Sequence, residues 1–154
     1  MFKQMFRYLF KQFSPLFALQ YSVAVRNGAL DSHETVIGTT PIIELRTGAP
    51  PADCATAASG TLLAQAALPS DWMAAAAAGA KAKTGTWTFT GLAGIATANI
   101  GYFRIYESGS PSACHIQGTV TATGGGGDMT VDNISLAAGQ TVTVNTFTLT
   151  AGNA

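Results

Sequence analysis

The apolar positions of this chain change their period twice. Across residues 1–20, Phe2, Met5, Phe6, Leu9, Phe10 and Phe13 recur at three- and four-residue spacing, while Lys3, Gln4, Arg7, Lys11 and Gln12 take the other face. That spacing predicts an amphipathic helix, ended by Ser14-Pro15. Charges interrupt every apolar run before it reaches the ~18 residues of a membrane span. Residues 15–19 fall short of the roughly 7–15 apolar residues of a secretory leader, so neither span nor leader is expected. Residues 22–37 predict a second helix. Ser22 suits its N-cap, because a hydroxyl there accepts from an otherwise orphaned backbone N–H. Val23, Leu30 and Ile37 repeat at seven, with Val25, Ala29 and Val36 assigned to the same side, and Gly38 suits the close.

From Pro41 the period becomes two. Ile43, Leu45 and Thr47 alternate with Ile42, Glu44 and Arg46 until Gly48-Ala-Pro-Pro stops the strand. Residues 61–68 predict a second strand, halted by Pro69; residues 73–78 then predict a helical turn that includes an alanine run, followed by a flexible stretch over 79–85. Further strands are expected at 86–90, 101–107, 114–121, 129–132 and 141–150, separated by glycine-rich turns. In the last of these, Phe147 follows Val144 by three instead of two, so a β-bulge near Asn145-Thr146 is needed to keep Val142, Val144, Phe147 and Leu149 on one face. The pattern as a whole predicts a mainly β domain over 21–154, an antiparallel, jelly-roll-like β-sandwich with one N-terminal helix packed on it. Residues 1–20 form a separate amphipathic arm.

Composition changes the picture in one respect. Only 10% of the residues are charged and 47% are apolar, against about a quarter charged in ordinary soluble domains. Such a surface is weakly hydrated and favours contact with other protein, which suits a subunit of a homo-oligomer or larger assembly. The net charge is zero, but Lys3, Arg7 and Lys11 sit in the arm with no acid, leaving the rest of the chain acidic. With no basic patch in the main domain, counterion release has little to act on, and no nucleic-acid partner is expected.

Candidate chemistry is sparse. The chain has no nucleophile elbow, P-loop lysine, HExxH or CxxC pattern. Gly124-Gly-Gly-Gly127 lacks a following Lys-Ser or Lys-Thr and predicts a mobile loop. His33 lies beside Asp31 and Glu34 at helical positions that do not face it. On a strand, Cys114 and His115 point to opposite faces. Cys54, Cys114, His33 and His115 offer four zinc-ligand types without paired spacing, and no metal or cofactor is expected. Glu44, Glu107, Asp128 and Asp132 could pair as in a glycosidase, but they are expected instead to be ordinary solvent-facing strand residues and, for Asp128 and Asp132-Asn133, turn formers. Two cysteines are too few for a disulfide framework: they are either two partly buried thiols or, if the fold brings them together, one bridge.

Several strings occur together in order: Tyr21-Ser-x-Ala with Arg26-Asn27, Leu45-Arg-x-Gly with Pro51-Ala-x-Cys54-Ala, Gly60-Thr-Leu-Leu-Ala64, and Leu68-Pro-Ser-Asp-Trp72. Gly101-Tyr-Phe-Arg-Ile-Tyr106, Cys114-His-Ile-Gln-Gly-Thr-Val120 and Gly139-Gln-x-Val-x-Val144 followed by Ala151-Gly-Asn continue them. Over about residues 21–154 the chain resembles a family of small structural proteins of tailed bacteriophages and prophages. The resemblance implies a virion component without enzymatic activity, assembled in the bacterial cytoplasm. Its implied partners are phage capsid or tail proteins. A capsid decoration or cement protein is the leading expectation, with a tail, neck or baseplate subunit as the alternative. A carbohydrate-binding adhesion module is the rival from another class, with Trp72, Trp87, Tyr102, Phe103 and Tyr106 as its candidate platform. However, Tyr102, Arg104 and Tyr106 share one strand face and Phe103 and Ile105 the other, so not all can be exposed. The expected contact residues are Phe2, Phe6, Phe10 and Phe13 of the arm, against a partner or, less favoured, a membrane surface, and Trp72 beside residues 79–85.

Overall fold

The computed structural model describes residues 19–109 and 113–152; the arm residues Phe2, Phe6, Phe10 and Phe13 lie outside them. Helix α1 spans Val23–Ile37. The strands are β1 (Pro41–Arg46), β2 (Leu62–Ala67), β3 (Ala80–Ala82), β4 (Thr88–Thr90), β5 (Ala98–Asn99), β6 (Tyr102–Ser108), β7 (Cys114–Ala122), β8 (Met129–Val131), β9 (Ser135–Leu136) and β10 (Thr141–Thr150). The main sheet runs β2-β1-β6-β7-β8-β10-β3, with β4 also on β10, and β5 pairs β9 separately. Beyond β4, the Leu92 amide donates to the Leu63 carbonyl of β2 at 2.9 Å, so the two ends of the sheet meet and the layer closes over its own core in a sandwich-like form. The domain is therefore mainly β with one packed helix, as the periodicity predicts.

The core is built on aromatic contacts. Trp72 lies 6.3 Å from Trp87, Trp87 5.6 Å from Phe147, and Phe147 meets Phe103 edge-on at 5.4 Å between ring centroids. Large rings bury the most apolar surface per residue, and tilted or edge-on pairs add about 0.5–1.5 kcal/mol each. Both indoles keep their N–H bonded, Trp72 to the Gly38 carbonyl and Trp87 to that of Thr84. The expected bulge is present. The β10–β8 register passes from Val144 opposite Val131 to Thr146 opposite Thr130, skipping Asn145. Val142, Val144 and Phe147 are thereby buried together, and Leu149 packs against the same cluster.

The sheet is mixed, which corrects the antiparallel expectation. β7 and β8 run parallel, with Val120 opposite Met129 and Ala122 opposite Val131. Parallel neighbours ordinarily need a crossover of a dozen or more residues. Here residues 123–128 make the return, and the glycines explain how. Gly124 and Gly126 adopt positive φ, while a Cβ on Gly125 or Gly127 would come within 3 Å of the Thr121 side chain. The loop is pinned in addition: the Gly127 amide donates to the Thr121 hydroxyl, and the Asp128 carboxylate accepts from both the Thr119 amide and hydroxyl at 2.8 Å. Those bonds hold Asp128 below the ordinary aspartate value of 3.8.

Helix α1 begins as expected, with the Ser22 hydroxyl accepting from the Val25 amide, and closes at Gly38, whose φ is 94°. Its inward face differs from the expected one. Leu30 and Ile37 are buried, but Asn27, Asp31 and Glu34 share their side, and Val25, Ala29 and Val36 face outward. The cause is Lys81. Its side chain is 1% exposed, and its ammonium lies 2.7 Å from Asp31 and 2.8 Å from Glu34 and also donates to the Ala74 carbonyl. A buried cation requires such partners, and they fix which face of the helix turns inward.

Residues 73–85 are also corrected. They form neither a helical turn nor a flexible stretch: Met73 pairs Lys83, Ala77 pairs Ala80, and β3 joins the sheet. Ala77 and Ala80 exchange amide-to-carbonyl bonds of 2.8 and 2.9 Å, enclosing Ala78 at φ 53° and Gly79 at φ 80°. Positive φ at both central residues suits a tight hairpin and overrides the helix propensity of alanine. Ala78 bears the strain of that conformation. Replacing it with glycine is expected to stabilise the domain by about 0.5–1 kcal/mol in urea unfolding; an unchanged or lower midpoint would contradict the hairpin geometry.

Candidate functional site: a covered polar face on the β1–β6–β7 sheet

Alternation along β6 sends Phe103 and Ile105 into the core and Tyr102, Arg104 and Tyr106 to the opposite face. Glu44 lies opposite Arg104 in the β1–β6 pair and opposite Gln65 in the β1–β2 pair. Gln117 lies opposite Arg104 on β7. In a sheet with one solvated face these residues would meet water. Here they are covered, with Tyr102 and Arg104 at 0% and 2% exposure and Glu44 at 5%. The expectation that Glu44 faces solvent is therefore corrected.

The cover is the loop of residues 47–61. Its ends are joined by the Thr47 amide to the Thr61 carbonyl and by the Thr61 amide to the Thr47 hydroxyl, the form of an Ω-loop. A backbone loop laid over a sheet must satisfy its own carbonyls. The polar face does this. Gln117 donates to the Pro51 carbonyl at 2.7 Å, and Arg104 to those of Cys54 and Thr56 at 2.6 and 2.8 Å. The Tyr102 hydroxyl accepts from the Ser59 amide and donates to the Ser59 carbonyl, and Arg46 reaches the Gly60 carbonyl at 3.3 Å. Within the loop, the Asp53 carboxylate accepts from the Thr56 amide and hydroxyl, which holds it below the ordinary aspartate value.

Between loop and sheet lies a cavity of about 310 Å³ lined by Glu44, Arg46, Arg104, Tyr106, Cys54 and Cys114 among others. Glu44 accepts from Arg46 at 2.8 Å, from Gln65 at 3.0 Å and from the Tyr106 hydroxyl at 3.0 Å. Burial, reinforced by Glu44, pushes the Tyr106 phenol up to about 12. Burial, together with the neighbouring Cys114 thiol, pushes the Cys54 thiol up to about 11. Both groups stay largely protonated near neutral pH, so neither is poised there as a catalytic nucleophile or general base. The Glu44 carboxylate is committed to three donors. What the arrangement does well is hold a loop.

The four zinc-ligand candidates separate into two pairs. Cys54 and Cys114 line the cavity under the Ω-loop, whereas His33 and His115 line a second one of about 210 Å³ beside Val36 and Ile37. Among the described residues, no group of three or more His, Cys, Asp and Glu side chains is placed to hold a metal ion. Of the four acids weighed as a carboxylate pair, Glu44 alone lines the cavity; Asp128 holds the β7–β8 return and Asp132 accepts from the Thr143 amide. Trp72, expected to be a contact residue, is a core residue at 0% exposure. The aromatic platform fails likewise, since Trp72, Trp87, Tyr102, Phe103 and Tyr106 are all buried. Sequence reasoning missed Arg104, whose signal was a charge in mid-strand flanked on both sides by apolar residues.

No family model matches the chain, and neither a curated protein nor a solved structure matches it.

The loop-holding role of Arg104 has a direct consequence. Arg104→Met removes the donors to two loop carbonyls while filling similar space. It should lower unfolding free energy by about 2–4 kcal/mol in urea titration. A loss under roughly 0.5 kcal/mol, the level of an ordinary surface change, would show that the contacts are incidental.

Proposed function

We propose that this chain is a non-enzymatic structural subunit of a bacteriophage particle, a decoration or cement protein of the capsid assembled in the bacterial cytoplasm. The observation that carries the reading is where apolar surface remains uncovered. Leu19, Tyr21, Val23, Val25 and Val36 are each 48–71% exposed, and all belong to α1 or the residues just before it. Val25 and Val36 share the outward side of α1, and Leu19, Tyr21 and Val23 follow in sequence the stretch of Phe2, Phe6, Phe10 and Phe13, whose spacing predicts an amphipathic helix. Clustered apolar side chains on an otherwise polar surface favour burial against another protein. With only 10% charged residues in the chain, few ions need to be stripped of water when such surfaces meet. Symmetric repetition then multiplies modest contacts into a stable shell. The resemblance to small structural proteins of tailed phages supports the same class, and the internal use of the polar cluster fits a scaffold more than a reaction site.

Mass spectrometry and cryo-electron microscopy of purified particles test this. The expected result is many copies on the head, with particles lacking the protein less resistant to heat. Copies confined to the tail, neck or baseplate would overturn the capsid assignment, and absence from particles would overturn the structural reading.

A further inference from the structure

We propose that Cys54 and Cys114 are a reversible disulfide pair that locks the Ω-loop onto β7. Strand alternation alone would set Cys114 on the face of Ile116 and Val120, towards the core. The β6–β7 register prevents this. Ile105 faces Ile116 but Tyr106 faces Cys114, so His115 is an extra residue and a bulge. Bulges re-aim side chains, and this one turns Cys114 to the side of Tyr106 and Arg104. Cys54 reaches the same place from the loop, its carbonyl gripped by Arg104 at 2.6 Å. Both residues line one cavity, both are partly exposed free thiols, and the two are near enough to influence each other's ionisation. Two independent devices thus bring two sulfurs together across a loop–sheet junction, with access for a small reagent.

The chemistry needs an oxidant, and a low-molecular-weight disulfide supplies it. One protein thiol loses its proton and attacks the small disulfide, breaking its S–S bond, forming a mixed disulfide and releasing one small thiolate. The second protein thiol, deprotonated in turn, displaces the other small thiolate and forms the Cys54–Cys114 bond. Two protein thiols are oxidised and one small disulfide is reduced to two thiols. Scarce thiolate at Cys54 makes the exchange slow near neutral pH, and the redox poise of the compartment sets whether the pair stands open or closed. Closure links positions that are far apart in sequence, which restricts the unfolded chain strongly.

The full chain, reduced and then incubated with oxidised glutathione, tests the proposal. Intact mass should fall by about 2 Da, both thiols should vanish from titration, and a peptide crosslinked between Cys54 and Cys114 should appear. Tm should rise by roughly 5–15 °C and return on adding dithiothreitol. The Cys54→Ser, Cys114→Ser double variant should show no oxidant-dependent shift. Two glutathione adducts, a disulfide-linked dimer, unreacted thiols, or a bond that leaves Tm unchanged would each overturn the lock.

Discussion

A guanidinium with 2% exposure and no ion pair among the described residues sets the terms for one side of this domain. Burying a charge costs several kcal/mol unless hydrogen bonds replace its water, on the order of the whole stability margin of a small domain. Arg104 offsets much of that cost through the carbonyls of Cys54 and Thr56, which accept from its two terminal nitrogens, while its Nε is buried without a partner among the described residues. Those carbonyls, lifted from water by the same contact, need Arg104 as much as it needs them. Loop and strand are thus mutually obligatory, and Tyr102, Gln117 and Arg46 repeat the bargain at Ser59, Pro51 and Gly60. Over β1, β6 and β7 the sheet has an apolar inner face and, under the loop, a polar outer face that is also covered.

The same logic recurs at the helix. Lys81 projects from a three-residue strand and finds its partners on α1, while Asn27 accepts from the Gly79 amide and Arg26 donates to the Ala151 carbonyl. Polar contacts orient the helix, and Leu30 and Ile37 supply its apolar anchorage. Because the inward face is used this way, Val25 and Val36 are left facing outward. That uncovered stripe, and not a cleft with reactive groups, is the feature on which the proposed role in an assembly rests.

How much of this the sequence discloses depends on the kind of force involved. The helix cap at Ser22 and the bulge at Asn145 are local and periodic, and both are legible: one is a hydroxyl before an apolar pattern, the other a spacing of three where two is the rule. The inward face of α1 is not legible, because it is chosen by a lysine some fifty residues away. The alanine run misleads for a related reason, since pairing across the sheet outweighs intrinsic propensity. The parallel return through Gly124 to Gly127 is hidden because four glycines specify freedom, not direction. Least legible is the covered polar face. Side-chain-to-backbone bonds leave no periodic trace, and the bulge at His115 reverses the face that simple alternation assigns to Cys114.

Native-state hydrogen exchange on the full chain tests the mutual dependence of loop and sheet most directly. The Ser59 and Thr61 amides, bonded to the Tyr102 and Thr47 hydroxyls, should be protected to within about 1 kcal/mol of the β1 and β6 amides, as members of one cooperative unit. Exchange of these loop amides at near-unprotected rates, while β1 and β6 stay protected, would contradict the account.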